Sequence, residues 1–329
     1  MPVPDNAPWI TYRPEIKVLD CTLRDGGLVT DSHFSDDFAK ALYDTCLEAG
    51  IDMMEVGYRN SPDAFPEPKY GKWRHSREEE LRRVFGDHDA ARTGLTLSAM
   101  VDAGGKSDWR KHDVPASESV LGLMRVACYV HQISEAVEMV HHYHELGYET
   151  TINIMAISIV GSAELAQALE VAARTPTGTL VVVDSFGNLY REQVDQLVQL
   201  YQAAAGDGRH VGIHAHNNLQ LAFANTIEAI ILGCNRADAS MMGLGRGAGN
   251  CPMELLLGWL RNPKFKLRPV LKFIQEQMLP LRARYDWGPS APYYITGLYN
   301  QHPRAAIAMR EGPAPDEYVE FYDSTTAEL

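Results

Sequence analysis

The sequence predicts an α/β fold, a (β/α)8 TIM barrel followed by a C-terminal helical extension. Short apolar runs rich in β-branched residues recur along the chain, and most are followed by an amphipathic helical stretch. Strands of this composition suit a parallel sheet that is covered on both faces. Eight such strand–helix units fit a barrel, for which ~250 residues is typical. An open doubly wound sheet is the alternative, but the glycine pair after the first strand lacks its G-x-G-x-x-G pattern.

Each strand is predicted from one apolar run, and the barrel is predicted to occupy residues 15–260. The rest of the chain, residues 261–329, is predicted to form the extension, which begins with an extra helix and continues with a stretch rich in Tyr and Pro. The predicted strands, in chain order, are Lys17–Thr22, Asp52–Tyr58, Leu95–Asp102, Met124–Val130, Thr150–Ser158, Leu180–Asp184, Val211–His216 and Arg236–Met241.

Residues that favour helix ends mark the helices between these strands. Ser35 is predicted to cap a helix that stops at Gly50, and Ser134 to open a helix that ends before Gly147. A serine side chain accepts a hydrogen bond from first-turn amides, and glycine adopts the left-handed conformation that ends a helix. The connection after the second strand, residues 59–76, is long, basic and aromatic, so we expect it to cover the substrate.

The composition of the chain excludes several classes of function. Lys plus Arg is 30 and Asp plus Glu is 43, so the net charge is −13, which disfavours binding to nucleic acid or to an acidic membrane surface. No apolar run is long enough to span a bilayer, and the first residues lack a signal-peptide core. The five cysteines form no Cys-x-x-Cys pair, so we expect reduced thiols and a cytoplasmic protein.

Polar side chains collect where the predicted strands end. In a barrel, the carboxyl ends of the strands form the catalytic face. Buried polar groups carry a desolvation cost unless they are partnered, so their collection at one end indicates a site. These residues are Arg24 and Asp25 after the first strand, Glu55 in the second, Arg125 in the fourth, Asn153 in the fifth, Asp184 in the sixth, His214 and His216 in the seventh, and Asn250 after the eighth.

One carboxylate, two imidazoles and an amide make a mixed nitrogen and oxygen ligand set. Such a set suits a hard or borderline divalent cation that keeps positions open for substrate. Arg24 adjoins the carboxylate of Asp25 and could neutralise negative charge on a substrate oxygen. Arg24 could instead be a structural ion-pair partner of Glu55 or Asp184. Glu55 and Asp184 are candidate catalytic residues, or they could serve to orient an arginine or a histidine.

These residues fall into motifs that occur in a fixed order in a known family. The chain resembles the metal-dependent lyases and synthases that share an Asp-Arg-Glu-type motif on a TIM barrel, the HMGL-like or DRE-TIM superfamily. Its members include 4-hydroxy-2-oxovalerate aldolases, hydroxymethylglutaryl-CoA lyases, and isopropylmalate and homocitrate synthases. The motifs are Asp20-x-Thr22-x-Arg24-Asp25-Gly26, Glu55-Val56-Gly57, Asp184-Ser185-x-Gly187, His214-x-His216-Asn217 and Gly245-x-Gly247-Ala248-Gly249-Asn250.

The resemblance implies a metal site and a role for the arginine. A divalent cation would be held by Asp25, His214 and His216, with Asn250 as a fourth ligand or close neighbour, and Arg24 would stabilise an enolate. Mn²⁺ is the expected ion, because carboxylate and carbonyl ligands favour Mn²⁺ or Mg²⁺ while two imidazoles raise the affinity for later metals. Mg²⁺, Zn²⁺ and Co²⁺ stay open.

The departures from the family pattern reduce the number of activities that the resemblance implies. The hydroxyoxovalerate aldolases that the chain resembles carry a histidine shortly after Arg-Asp-Gly, whereas this chain has Gly27-Leu28 there. The Gly-Cys-Pro loop of the hydroxymethylglutaryl-CoA lyases is missing, and residues 261–329 are short for the regulatory domain that isopropylmalate synthases append. The aldolase branch is therefore the nearest: reversible cleavage of a 4-hydroxy-2-oxo acid to pyruvate, or a similar 2-oxo acid, and an aldehyde.

Two other functions stay open, and so does the identity of the acid–base group. One alternative is a Claisen-type condensation of an acyl-CoA with a 2-oxo acid. The other is a metal-binding partner subunit that channels aldehyde to a dehydrogenase, since family aldolases pair with one; a homo-oligomer such as a homodimer is also expected. Tyr294 and His302 are the candidate acid–base residues, with packing as the alternative for the tyrosine. Arg125, Asn153 and Asp184 are candidate substrate contacts, and Arg125 and Asn153 could instead be scaffolding.

Overall fold

Eight parallel strands close into a barrel in the computed structural model, which describes residues 15–327. Each strand pairs with the next along the chain, and the last pairs with the first, so the predicted barrel is confirmed. The predicted strands all form, and most differ from the predicted bounds by a few residues at their ends. The strands are β1 Lys17–Asp20, β2 Met53–Tyr58, β3 Thr96–Asp102, β4 Leu123–Cys128, β5 Glu149–Ile154, β6 Thr179–Asp184, β7 His210–Ala215 and β8 Arg236–Ala239.

Helices follow the strands and pack their apolar faces against the outside of the barrel. The segment after α10 continues as one helix through a π-helical stretch, Ile274–Met278, into α11. The helices are α1 Thr22–Gly26, α2 Asp36–Ala49, α3 Glu78–Phe85, α4 Ala90–Thr93, α5 Ile133–Glu145, α6 Ser162–Ala172, α7 Arg191–Ala205, α8 Ala222–Ile231, α9 Met253–Leu260, α10 Leu267–Phe273, α11 Leu279–Arg282, α12 Ala291–Leu298, α13 Arg304–Arg310 and α14 Tyr318–Thr326.

The first strand is shorter than predicted, and the residues after it form a helical turn. The sequence predicts a strand through Thr22 that breaks into a glycine loop, but Thr22–Gly26 is helical. The turn forms because the hydroxyl of Thr22 bonds the carboxylate of Asp20 at 2.8 Å and accepts from the backbone of Met241 at 2.8 Å. Thr22 and Arg24 therefore do not continue the strand face on which Asp20 lies.

One of the two predicted serine caps is present. The side chain of Ser35 accepts from the amide of Phe38 at 3.1 Å, and Gly50 ends α2 in the left-handed conformation, as predicted. Ser134 caps nothing, because a 3₁₀ turn leads directly into α5, which begins one residue earlier at Ile133.

Strand β2 changes register against β3 just before it enters the site. The shift lies between Glu55 and Tyr58, and Gly57 between them has φ 152°. A side chain at Gly57 would collide with the backbone carbonyl of Trp73, which lies in the long connection after β2. The bulge thus brings that connection against the barrel mouth and turns Tyr58 toward the site.

The helices after the barrel cover part of its rim. α10 packs on α2, and the indole of Trp287 is buried and donates to the carbonyl of Met242 at 3.2 Å. The ring of Tyr293 on α12 packs against Ala248 in the loop after β8. The exact boundary between barrel and extension stays a prediction. Within residues 15–327 we find no helix with the length and apolar character that crossing a bilayer requires.

Candidate active site

Three residues from two elements meet at the carboxyl end of the barrel. Asp25 lies in α1, and His214 and His216 lie at the end of β7. One ligand atom from each lies within 4.8 Å of the others, and the three residues are at most 4% exposed. The structure therefore brings together the three side chains that sequence reasoning assigned to the metal.

A hydrogen bond to Asp238 fixes the orientation of the His214 ring. Its Nδ1 lies 3.0 Å from Oδ2 of Asp238 on β8, and the same oxygen accepts from Arg125 at 2.5 Å. A proton on Nδ1 that bonds Asp238 leaves the lone pair of Nε2 free, and Nε2 is buried without a protein partner within the described chain. Carboxylates behind metal-bound histidines act in this way.

Arg24 is held between two carboxylates. Its Nε donates to Glu55 at 2.7 Å and its Nη1 to Asp25 at 2.8 Å, while Nη2 is buried with no partner among residues 15–327. Burial alone would lower the pKa of this guanidinium, but Glu55 and Asp25 raise it well above its ordinary value. Arg24 is therefore a fixed positive charge whose Nη2 amino group is free, and the pairing with Glu55 that the sequence suggested is present.

Glu55 and Arg125 continue this pairing beneath the site. Oε2 of Glu55 accepts from Arg125 at 3.0 Å as well as from Arg24. Together with Asp238 and His214 they form a charge chain, which we define as Arg24, Glu55, Arg125, Asp238 and His214. It links the two sides of the metal cluster through the barrel interior.

The protonation states at the cluster are those that a metal needs. Burial would raise the pKa of the Asp25 carboxyl, but Arg24 and the two imidazoles outweigh it, and the pKa lies well below its ordinary value. Burial also holds the pKa of His216 well below its ordinary value, against the opposing charge of Asp25. A carboxylate and a neutral imidazole are the ligating forms of these side chains.

Asn250 contacts the cluster through Asp25. Its Nδ2 donates to Oδ2 of Asp25 at 2.5 Å and to the carbonyl of Leu244 at 3.1 Å, and its Oδ1 is buried without a partner in the described part of the chain. Gly245 allows this approach, because a side chain there would collide with both Asn250 and Asp25. The glycine motif after β8 therefore lets the loop bring Asn250 against Asp25.

The donor set fits a divalent cation. His214 Nε2, His216 Nδ1 and Asn250 Oδ1 are buried polar atoms with no protein partner within residues 15–327, and they adjoin the Asp25 carboxylate. Leaving such atoms unpaired is costly, so a bound ligand at this point is expected. Nitrogen and oxygen ligands suit Mn²⁺, Mg²⁺, Zn²⁺ or Co²⁺.

A small cavity of about 70 Å³ opens beside the cluster. Its polar wall includes Arg24, Tyr58, Asp102 and Arg246, and Asn153 also lines it. The apolar part of the wall includes Leu28 after α1, Met100 in β3 and Met155 after β5.

Comparison with known proteins finds a family match over part of the chain. Residues 116–275 match the family model described as HMGL-like. The chain carries an HMGL-like domain. An oxaloacetate decarboxylase of Mycobacterium tuberculosis is 29% identical over 251 residues, which are 76% of this chain and 71% of that protein. The 4-hydroxy-2-oxovalerate aldolase 2 of Mycolicibacterium smegmatis is 28% identical over 246 residues, 74% of this chain and 68% of its own length.

A solved structure agrees with the HMGL-like assignment. The N-terminal domain of a putative aldolase from Bacteroides vulgatus superposes with a TM-score of 0.74 at 27% identity, covering 88% of this chain and 94% of that domain. The HMGL-like domain and the buried Asp/His/His cluster identify the chain as an enzyme, a metal-dependent lyase.

Several predicted site residues do not line the cavity beside the metal cluster. Arg125 and Glu55 do not line the cavity and lie beneath it in the charge chain, so a direct substrate contact of Arg125 stays a prediction. Asp184 accepts from the backbone of Asn188 at 3.1 Å and of Leu189 at 3.3 Å, so its carboxylate shapes a loop and does not line the cavity.

The two predicted acid–base residues also lie outside the cavity lining. Tyr294 is half-buried on α12, and it is Tyr293 that packs inward. His302 reaches the site indirectly, since its Nε2 lies 3.2 Å from Nη1 of Arg246, a residue that does line the cavity.

Sequence reasoning missed four side chains of the site. Asp238 and Asp102 lie in apolar strands, where an acidic residue is the same signal that identified Glu55. Arg246 stands within the quoted glycine motif but was assigned no role. Tyr58 enters the cavity only because β2 bulges, and nothing in the sequence pattern indicates that bulge except Gly57.

Proposed function

We propose that the chain is a divalent-metal-dependent aldolase that cleaves or forms a 4-hydroxy-2-oxo acid from pyruvate, or a similar 2-oxo acid, and an aldehyde. The observation that carries the proposal is Arg24. Two carboxylates fix its guanidinium beside the metal cluster, and one of its N–H groups is left unpartnered among residues 15–327. A fixed donor at this position suits a reaction in which an oxygen gains negative charge.

The residues divide the work of carbon–carbon cleavage between them. Asp25, His214 and His216, with Asn250 beside them, would hold the cation, which supplies Lewis acidity toward the oxygens of the 2-oxo acid. Nη2 of Arg24 would donate to the keto oxygen as negative charge develops there. Glu55 keeps the guanidinium in place, so no reorientation is needed during the reaction.

Cleavage also requires a base that takes the proton from the 4-hydroxyl group. Asp102 is the best placed group of the cavity wall for this role. Its carboxylate accepts from the amide of Asn60 at 2.9 Å and forms no ion pair with a cation in the described chain, so it has capacity to accept a proton. Asp102→Asn should lower aldol turnover roughly 10²- to 10⁴-fold, the usual contribution of a general base.

We propose Mn²⁺ as the activating ion, with Mg²⁺ supporting a lower rate. The carboxylate and amide oxygens favour these hard ions, whereas the two imidazoles also accept Zn²⁺ or Co²⁺. Activity of the metal-stripped protein reconstituted with each ion in turn, together with elemental analysis, tests the choice.

Proton exchange at the methyl group of pyruvate tests the reaction class. The purified protein, loaded with Mn²⁺, is incubated with pyruvate in D₂O, with and without a series of aldehydes, and the products are followed by NMR. Metal-dependent loss of the methyl protons and new carbon–carbon bonds are expected. If neither occurs while acetyl-CoA and a 2-oxo acid release free thiol, the aldolase proposal is wrong and condensation takes its place.

A further inference from the structure

Arg246 is a half-buried cation that forms no ion pair among residues 15–327. It lies in the loop after β8 and lines the cavity beside the metal cluster. Its Nη2 donates to the carbonyl of Ser185 at 2.8 Å, and its Nε is buried without a hydrogen-bond partner in the described chain. Withdrawing a guanidinium from water without an ion-pair partner is unfavourable, so a bound anion would stabilise this side chain.

The contact of Arg246 with His302 does not satisfy it. The backbone N–H of Arg304 donates to Nδ1 of His302 at 3.0 Å, so the proton of the neutral ring lies on Nε2. Burial and the neighbouring arginines Arg246 and Arg304 lower the pKa of His302 to about 4, which keeps the ring neutral at physiological pH. Nε2–H therefore faces an N–H of Arg246 across 3.2 Å, and two donors meet with no acceptor between them.

The other arginine of the cavity is already neutralised. Arg24 bonds both Glu55 and Asp25, whereas Arg246 has only a backbone carbonyl. In the proposed function, the first carboxylate of the 2-oxo acid would bind the cation together with the keto oxygen. Arg246 is influenced by the charge of Asp25 but forms no ion pair within residues 15–327, so it would still have donors free for a second anion.

We propose that Arg246 and the Nε2–H group of His302 together bind a second carboxylate, so that the substrate is a short 2-oxo acid with two carboxylates. This inference rests on the proposed function, because it takes a 2-oxo acid at the metal as given. A carboxylate offers two oxygens to the planar fork of an arginine and to a neighbouring donor. The small cavity limits the acid to a few carbon atoms.

The test compares two acids that differ only in that second carboxylate. Oxaloacetate and 2-oxobutanoate have the same carbon skeleton, with a carboxylate in one where the other has a methyl group. Binding of each to the Mn²⁺-loaded protein is measured by calorimetry, alongside turnover. The wild-type protein should bind oxaloacetate more tightly, and Arg246→Met should remove roughly 10- to 100-fold of that affinity, while the affinity for 2-oxobutanoate stays within about twofold.

Two further variants separate recognition of the second carboxylate from a general effect of positive charge and from an effect on folding. Arg246→Lys keeps the charge but loses the fork, so it should retain part of the preference for oxaloacetate. Arg268→Gln removes an exposed arginine of α10 that does not line the cavity, and it should leave both affinities unchanged. Equal thermal melting of the variants shows that each is folded.

The results that would contradict this inference differ from those that would contradict the proposed function. If Arg246→Met weakens both acids equally, Arg246 binds the carboxylate that they share and the inference is wrong. Equal wild-type affinity for the two acids also overturns it, yet leaves the proposed function standing. If neither acid binds the Mn²⁺-loaded protein, the proposed function itself fails and the inference fails with it.

Discussion

At the scale of single residues, the site depends on fixed charges whose partners are already in place. Arg24 illustrates this, because two of its nitrogens are bonded to Glu55 and Asp25 and only Nη2 is available to a substrate. The ion pairs that would give Arg24 a structural role are therefore the same contacts that orient its unbonded Nη2 group. A substitution must therefore be judged on turnover and stability together.

Replacing Arg24 by lysine tests its role in the transition state. Lysine keeps the positive charge but cannot bond both carboxylates and still present a donor in the same plane. We expect turnover to fall roughly 10²-fold or more, the scale seen when one oxyanion donor is lost. Metal content, measured by elemental analysis, should stay intact. A variant that melts early yet turns over normally would show that Arg24 is only structural.

Replacing Asp238 by asparagine tests how His214 is oriented. The carboxylate that accepts from Nδ1 is lost, so the tautomer with a free Nε2 is less favoured. Metal affinity should fall about 10- to 100-fold, the usual effect of losing such a support, as measured by titration against a competing chelator. Asp207→Asn, an exposed acidic residue, is the control and should bind metal as the wild type does. Unchanged affinity in Asp238→Asn would remove this residue from the site.

At the scale of elements, the positions of the strands were predictable from the sequence, whereas the helical turn after β1 was not. Apolar runs located all eight strands, because both faces of each are buried and the runs are therefore continuous. The helical turn α1 was not predictable, since it depends on a contact between Thr22 and Met241 that are far apart in the chain. The same holds for Arg246, whose importance follows from what surrounds it and not from its own motif.

The β2 bulge leads to a testable prediction about the substitution of Gly57. Its φ of 152° and the nearby carbonyl of Trp73 both exclude a side chain. Gly57→Ala should destabilise the fold by roughly 1–3 kcal/mol, the usual cost of one strained residue, and should shift Tyr58, thereby lowering activity. The control is Gly258→Ala in α9, where no atom lies within 4 Å of the added methyl group. Chemical denaturation compares the two variants, and equal stability would contradict the bulge.

At the scale of the whole molecule, buried carboxyls link folding to pH. Burial raises the pKa of Asp184 to about 7, although the backbone N–H groups of Asn188, Leu189 and Gly187 oppose the shift. The unfolded value is 3.8, so the contribution of this group to stability is complete below about pH 4 and is lost as the pH rises toward 7. His302 acts in the opposite direction, losing stability as the pH falls below its ordinary pKa.

The contribution of Asp184 can be isolated by comparing variants. The free energy of unfolding is measured at pH 5 and at pH 8 for the wild type and for Asp184→Asn, without metal. Relative to the variant, the wild type should lose on the order of 1–4 kcal/mol between the two values. His302→Gln, measured in parallel, should lose more stability than the wild type between pH 5 and pH 8, because it lacks the group whose contribution increases as the pH rises. An identical pH dependence of wild type and Asp184→Asn would show that Asp184 is ionised in the folded protein at pH 5.

The charge chain beneath the cavity also constrains how such a protein can change over evolutionary time. Each of its members is buried and has neighbours of opposite sign, so a single neutral replacement would strand a charge in the interior. Viable replacements there must come in compensating pairs, which are rare. The cavity wall is less constrained at Leu28 and Arg246, which form no ion pairs within the described chain and can be exchanged singly. Lineages built on this barrel should therefore acquire new substrates at the rim while the bond-breaking chemistry below it stays the same.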